Sequence, residues 1–208
     1  NKNIIDINEI AFKYFNNDDW IFKNITFSIQ KGLHYIISGP NGSGKSTLLA
    51  LFAGVLIPEK GTITNRSLRT GYVGPNPLII EGSLKENLLF GNSQKIHDDK
   101  LISLVNEINL FEKHVDVNLD MKINNKRLSS GQMQKISFLR VFASNPDLLI
   151  LDESTSNLDV DSKLKIVQKI KSLKDTTIIN STHEPELFDF CDMRIKLEIF
   201  ENERRIII

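Results

Sequence analysis

Residues 39–47 read GPNGSGKST, and residues 147–153 read DLLILDE. The first stretch fits the pattern G-x-x-x-x-G-K-[ST] through Gly39, Gly44, Lys45 and Ser46, with an extra glycine at Gly42. Glycines tolerate the backbone angles of a tight nest. The run Gly39, Pro40, Asn41, Gly42, Ser43 and Gly44 therefore forms a loop that aims peptide N–H groups at phosphate oxygens. Lys45 adds a positive charge for the outer phosphates, the Ser46 hydroxyl suits Mg²⁺, and Thr47 completes the cradle. An apolar strand at 35–38 enters the loop and a helical run at about 46–53 leaves it. In the second stretch, the four apolar residues 148–151 make a central strand, with Asp152 and Glu153 at the end where ligands gather in open α/β sheets. Asp152 is expected to hold Mg²⁺ through its water shell and Glu153 to polarise an attacking water. Paired acids after a strand also suit a solvated helix N-terminus; beside a phosphate loop that reading loses weight.

Working outward, short β-branched and aromatic runs occupy residues 4–7, 25–29, 61–64 and 70–73. From 82 to about 117 the texture is polar and helical, with Leu101, Leu104, Val105 and Ile108 spaced for one apolar face. Beyond Leu128 a helix (about 131–144) leads to the strand at 148–151, and another (about 160–173) to a strand at 177–180. Ile136, Leu139, Phe142 and Ala143 form the core stripe of the first of these helices. Strand–helix alternation with nearly continuous apolar strands predicts an α/β fold. Its P-loop core has a mostly parallel sheet, the N-terminal strands an antiparallel β subdomain, and residues 82–130 a helical subdomain. No linker interrupts the chain, so residues 1–208 are expected to form one domain with subdomains.

The 26 basic and 26 acidic side chains cancel, which argues against a nucleic-acid partner. A single cysteine, Cys191, forbids an internal disulfide, suits a reducing compartment and reads as a small core residue. No apolar run reaches the roughly 18 residues that cross a bilayer, and no signal peptide is visible. The first residue is Asn1 rather than Met, as expected of a piece cut from a longer chain.

Taken in order, these segments resemble the nucleotide-binding (ATPase) domain of ABC transporters. GPNGSGKST matches that family's Walker A segment, LSSGQ at 128–132 its signature, and LLILDE at 148–153 its Walker B strand with catalytic glutamate. Ser156-Asn157-Leu158-Asp159 matches the D-loop, and His183 in NSTHE the switch histidine. The resemblance implies ATP and Mg²⁺, with adenine stacked on Tyr14 of FKYF, although Phe12 and Phe15 compete for that role. It implies that Lys45 and His183 stabilise the transferring phosphoryl group beside Glu153. Ser129, Gly131 and Gln132 would act on ATP held by a second ABC ATPase domain, in a homodimer or heterodimer, and Asp159 would link the two sites. As bare chemistry, Ser129 and its neighbours are also a plain helix cap. The implied setting is the cytoplasmic face of a membrane, with transmembrane domains in the same or another chain.

The chain departs from the family at two points. Residues 71–87, GYVGPNPLIIEGSLKEN, resemble the stretch that normally carries a glutamine where Pro75 stands; proline has neither an amide oxygen nor a donor. Asn76 is the nearby carboxamide that could substitute, and Ser130 replaces a signature glycine. GSLKENLLFG at 82–91 resembles the exporter subgroup, yet MKINNKR at 121–127 lacks that subgroup's acidic-glycine segment. Two other readings stand beside a transport ATPase. One is a degenerate ATP-binding clamp with little hydrolysis. The other is an ABC ATPase of DNA machinery, which the short spacing from Lys45 to Leu128 and the neutral charge disfavour.

Overall fold

A computed structural model describes residues 2–15, 18–92, 94–111, 116–200 and 203–207. In chain order the elements are β1 (Asn3–Phe12), β2 (Phe22–Gln30), β3 (His34–Ser38), α1 (Lys45–Phe52), β4 (Lys60–Asn65), β5 (Thr70–Val73), β6 (Gly82–Ser83), α2 (Leu84–Leu89) and α3 (Asp98–Glu107). Then follow β7 (Lys122–Ile123), α4 (Ser130–Ser144), β8 (Leu148–Asp152), α5 (Val160–Lys171), β9 (Thr177–Ser181), a 3₁₀ turn (Pro185–Phe188), β10 (Met193–Phe200) and β11 (Glu203–Ile207). They fall into two compact units. One comprises Asn1–Tyr72, Asp147–Asp152 and Lys174–Ile208; the other comprises Val73–Pro146 and Glu153–Leu173.

In the first unit a six-stranded sheet runs β11-β10-β3-β9-β8-β5. β3, β8, β9 and β10 are mutually parallel, and β11 turns back antiparallel. HYIIS, LLILD and TIINS are buried almost throughout, as expected of strands covered on both faces. A second, antiparallel sheet orders β2-β1-β4. The core between them includes Ile5, Ile37, Leu49, Phe52, Ile150 and Ile179, each 0% exposed. Burying each such side chain contributes about 1.5–3 kcal/mol against leaving it in water. The α/β class and both sheets thus match the expectation from sequence. The β10–β11 hairpin has no clear mark in the sequence, because MRIKLEIF and ERRII interleave charges with their apolar residues.

The far end of the β5–β8 edge is pinned by one side chain. The Asp147 carboxylate accepts from the Leu68 and Arg69 backbone N–H groups at 2.9 and 2.8 Å, and Asp147 N–H donates to the Arg69 carbonyl at 3.1 Å. Burial alone would raise the Asp147 carboxyl, but these donors hold it below the ordinary aspartate value.

The second unit is mainly helical. On α3, Leu101, Leu104 and Val105, with Ile108 just beyond, are buried as their spacing predicts. On α4, Ile136, Leu139, Phe142 and Ala143 are buried too. α2 begins with a capping box in which Ser83 and Glu86 satisfy each other's backbone N–H groups. Arg140 of α4 donates to the Asn87 and Leu78 carbonyls at 2.9 and 3.0 Å, tying α2 to the preceding loop. Cys191, in the first unit, differs from expectation. It is half-buried rather than in the core, and its thiol donates to the Met193 carbonyl at 2.9 Å.

Candidate functional site

β3 delivers the chain into the loop 39–44, and Gly44 caps α1 with φ 96°. A Cβ at Gly44 would come within 2.9 Å of the Phe22 ring, and one at Gly39 within 2.5 Å of the Leu197 carbonyl. Both positions therefore need glycine for conformation and for space. Lys45 is almost buried, and its Nζ donates to the Gly39 and Pro40 carbonyls at 3.0 and 3.1 Å, so the ammonium lies over the loop. Ser43 is fully buried, and its Oγ has no hydrogen-bond partner in the protein. Leaving such a group without a partner costs about 1–3 kcal/mol.

Ser46 Oγ donates to Asp152 Oδ1 at 3.0 Å, joining the first turn of α1 to the end of β8. Asp152 is 3% exposed, and its Oδ2 accepts from the Tyr72 hydroxyl at 3.3 Å. Burial, reinforced by the neighbouring Asp152 charge, pushes the Tyr72 phenol up to about 12, so it stays a donor at neutral pH. A hydroxyl beside a carboxylate is an all-oxygen donor set, which fits a hard cation such as Mg²⁺. Across the ladder Asp152 pairs with Ser181, whose buried Oγ also lacks a partner. Neither Tyr72 nor Ser181 is marked by the sequence. Nothing in the letters distinguishes a ladder neighbour of Asp152 from any other strand hydroxyl.

Tyr14 is half-exposed, donates or accepts a 2.9 Å hydrogen bond with Thr47 Oγ1, and meets Phe12 edge to face at 5.2 Å. Of its rivals, Phe12 is buried and Phe15 is 94% exposed. His183 is exposed, two residues past β9, and is followed by a turn in which Thr182 Oγ1 accepts from Glu184 N–H at 3.0 Å. The first unit thus brings together Gly39, Pro40, Asn41, Gly42, Ser43, Gly44, Lys45, Ser46, Thr47 and Asp152, with Tyr14 beside Thr47.

The remaining candidates belong to the second unit. Glu153, next along the chain from Asp152, takes φ 46°, and its carbonyl accepts from Ser156 Oγ at 3.0 Å. A glutamate in the left-handed region is strained, and such strain concentrates at functional positions. Ser129 caps α4 through a capping box with Gln132, at 3.1 and 3.0 Å. A Cβ on Gly131 would approach the Asn157 carbonyl to 3.2 Å. Asp159 caps α5, accepting from Ser162 N–H at 2.9 Å and Ser162 Oγ at 2.6 Å, and these bonds lower its carboxyl. Ser129, Gln132, Lys135 and Asp159 line one groove of about 420 Å³. Pro75 is exposed; its carbonyl accepts from Asn157 Nδ2 at 3.4 Å, and buried Gln134 donates to the Gly74 carbonyl at 3.1 Å.

Among the described residues no helix is long and apolar enough to cross a membrane, and no cluster of three or more His, Cys, Asp or Glu side chains is arranged to hold a metal. The family model described as ABC transporter matches residues 22–156. The chain is similar to the ATP-dependent permease MDL1 of Candida albicans, at 33% identity over 98% of this chain and 31% of the permease. It is also similar to the energy-coupling factor transporter ATP-binding protein EcfA1 of Enterococcus faecalis, at 32% identity over 87% of this chain and 71% of that protein. The chain therefore spans about a third of the permease but most of the coupling-factor protein. A bacterial Atm1-family ABC exporter solved with ATP bound shares the fold, with a TM-score of 0.83 at 20% identity, over 99% of this chain and 38% of that one. With the phosphate loop, the Ser46–Asp152 pair and these likenesses in agreement, the chain belongs to the ABC transporter family, as one of its ATP-binding domains.

Proposed function

We propose that this chain hydrolyses ATP and couples that hydrolysis to transport across a membrane, as an exporter-type ATPase domain acting with transmembrane domains. The observation that carries the reading is the Ser46–Asp152 hydrogen bond beneath a loop whose lysine already lies on its carbonyls. Residues 39–47 hold the triphosphate through backbone N–H groups, and Lys45 exchanges its loop carbonyls for phosphate oxygens. Ser46 and Asp152 hold Mg²⁺, which when bound neutralises charge on the phosphates. Tyr14 offers its half-exposed ring to adenine. Glu153 orients water and takes its proton, and His183 donates to the γ-phosphate.

Ser129, Gly131 and Gln132 act on the nucleotide of a second ATPase domain, bound head to tail, and Asp159 relays between the two sites. Ser129 and Asp159 lining one groove supports that division of labour. The setting is the cytoplasmic face of a membrane. Phosphate release measured against protein concentration tests the reading: turnover per chain rises with concentration as ATP-bound pairs form. Release no faster than in the absence of protein at any concentration sinks it, and leaves a binding clamp.

A further inference from the structure

We propose that Tyr72 is a positioning residue for the divalent cation, its hydroxyl holding the second oxygen of Asp152. The proposal rests on the reading of Ser46 and Asp152 as the residues that hold the cation. A donor on each oxygen of a carboxylate resists its rotation about the Cβ–Cγ bond. With Ser46 Oγ on Oδ1 at 3.0 Å and the Tyr72 hydroxyl on Oδ2 at 3.3 Å, both oxygens have a donor and the plane of the group is set. Outer partners of this kind orient ligating carboxylates and tune the affinity of metal sites.

Tyr72 reaches this position from a strand rather than a loop. Gly71 and Val73 of β5 are buried, whereas Tyr72 faces the other side, 40% exposed. The register of β5 beside β8 is clamped at its start, where Asp147 holds Leu68 and Arg69. Three residues on from Arg69, the phenol meets the carboxylate five residues on from Asp147. By contrast, Pro75 carries no donor and Asn76 is exposed. The phenol is a polar group that the chain places on Asp152 beside the Ser46 hydroxyl.

The test uses the whole chain with Mn²⁺ as probe and a non-hydrolysable ATP analogue. Mn²⁺ affinity of the protein–analogue complex is read by electron paramagnetic resonance in wild type, Tyr72→Phe, Asn76→Ala and Asp152→Asn. Tyr72→Phe is expected to weaken Mn²⁺ roughly tenfold while metal-free analogue binding and the melting temperature stay put. An unchanged Mn²⁺ affinity in Tyr72→Phe overturns the proposal, as does weakening in Asn76→Ala alone. If Asp152→Asn also leaves Mn²⁺ affinity unchanged, the underlying reading of the site fails; if only Asp152→Asn weakens it, Tyr72 alone is wrong. Should Tyr72→Phe fail to fold, the ¹³Cζ resonance of Tyr72 in the wild type decides. It must shift when Mg²⁺ joins the bound analogue, and a stationary resonance overturns the proposal.

Discussion

Ser46 and Asp152 stand 106 positions apart in the chain and share a 3.0 Å hydrogen bond. That bond couples the first turn of α1 to the tip of β8, whose two side chains are the ones proposed to hold the cation. Ser46→Ala removes one oxygen donor and leaves Asp152 without that partner. The Mg²⁺ concentration for half-maximal hydrolysis should rise about tenfold or more, with metal-free nucleotide binding nearly intact. A Mg²⁺ titration that superimposes on the wild-type curve rules out Ser46 as a donor to the cation.

Lys45→Ala takes away the ammonium that lies on the Gly39 and Pro40 carbonyls. Hydrogen bonds to charged groups contribute about 1.5–3 kcal/mol, so ATP affinity should fall roughly 10- to 100-fold. Calorimetric titration checks this, and an affinity within twofold of wild type would show that the phosphates do not sit under Lys45.

Glu153→Gln keeps the side chain's size but cannot take a proton. Steady turnover should drop at least a hundredfold, in the range general bases contribute, while ATP binding persists and holds a dimer together. Size-exclusion chromatography with ATP reads the dimer, and phosphate release reads the turnover. Undiminished release removes Glu153 from the chemistry.

Gly44→Ala forces a left-handed φ of 96° on a residue with a Cβ and brings that atom within 2.9 Å of the Phe22 ring. The expected loss is on the order of 1–3 kcal/mol, from backbone strain before any contact is counted. Urea unfolding at a constant m-value measures it. A variant as stable as wild type would mean the loop relaxes freely.

His34 gives the fold an acid sensitivity of stated sign. It is 4% exposed, its ring nitrogens lack partners, and it packs against Phe188 and Phe190. Burial pushes it from 6.5 down to about 4, partly opposed by the Asp192 charge. The unfolded chain therefore takes up a proton that the fold refuses. The stability this represents is complete above pH 6.5 and is lost as the pH falls toward 4. The slope from this group cannot exceed about 1.4 kcal/mol per pH unit. His34→Leu should flatten stability between those limits; an unchanged slope would place the titration elsewhere.

Much of this was legible from local patterns. GPNGSGKST must bend as a nest because its glycines allow the angles, and LLILDE must be a buried strand because four apolar residues precede the acids. The apolar spacing on α3 and α4 marked faces that are indeed buried. Tyr72 and Ser181 are not legible in this way, because a hydroxyl on a strand says nothing about which carboxylate its neighbour in the sheet will bring. Nor is the left-handed Glu153, since glutamate carries no preference for that conformation.

Residue order alone thus set the class of fold, the glycine turn before α1 and the family, for these depend on spacings of a few residues and on short-range backbone preferences. Which oxygens face each other is a different matter. Ser46 on one edge of Asp152 and Tyr72 on the other follow from strand order and register, which long-range packing selects from many pairings the letters equally allow.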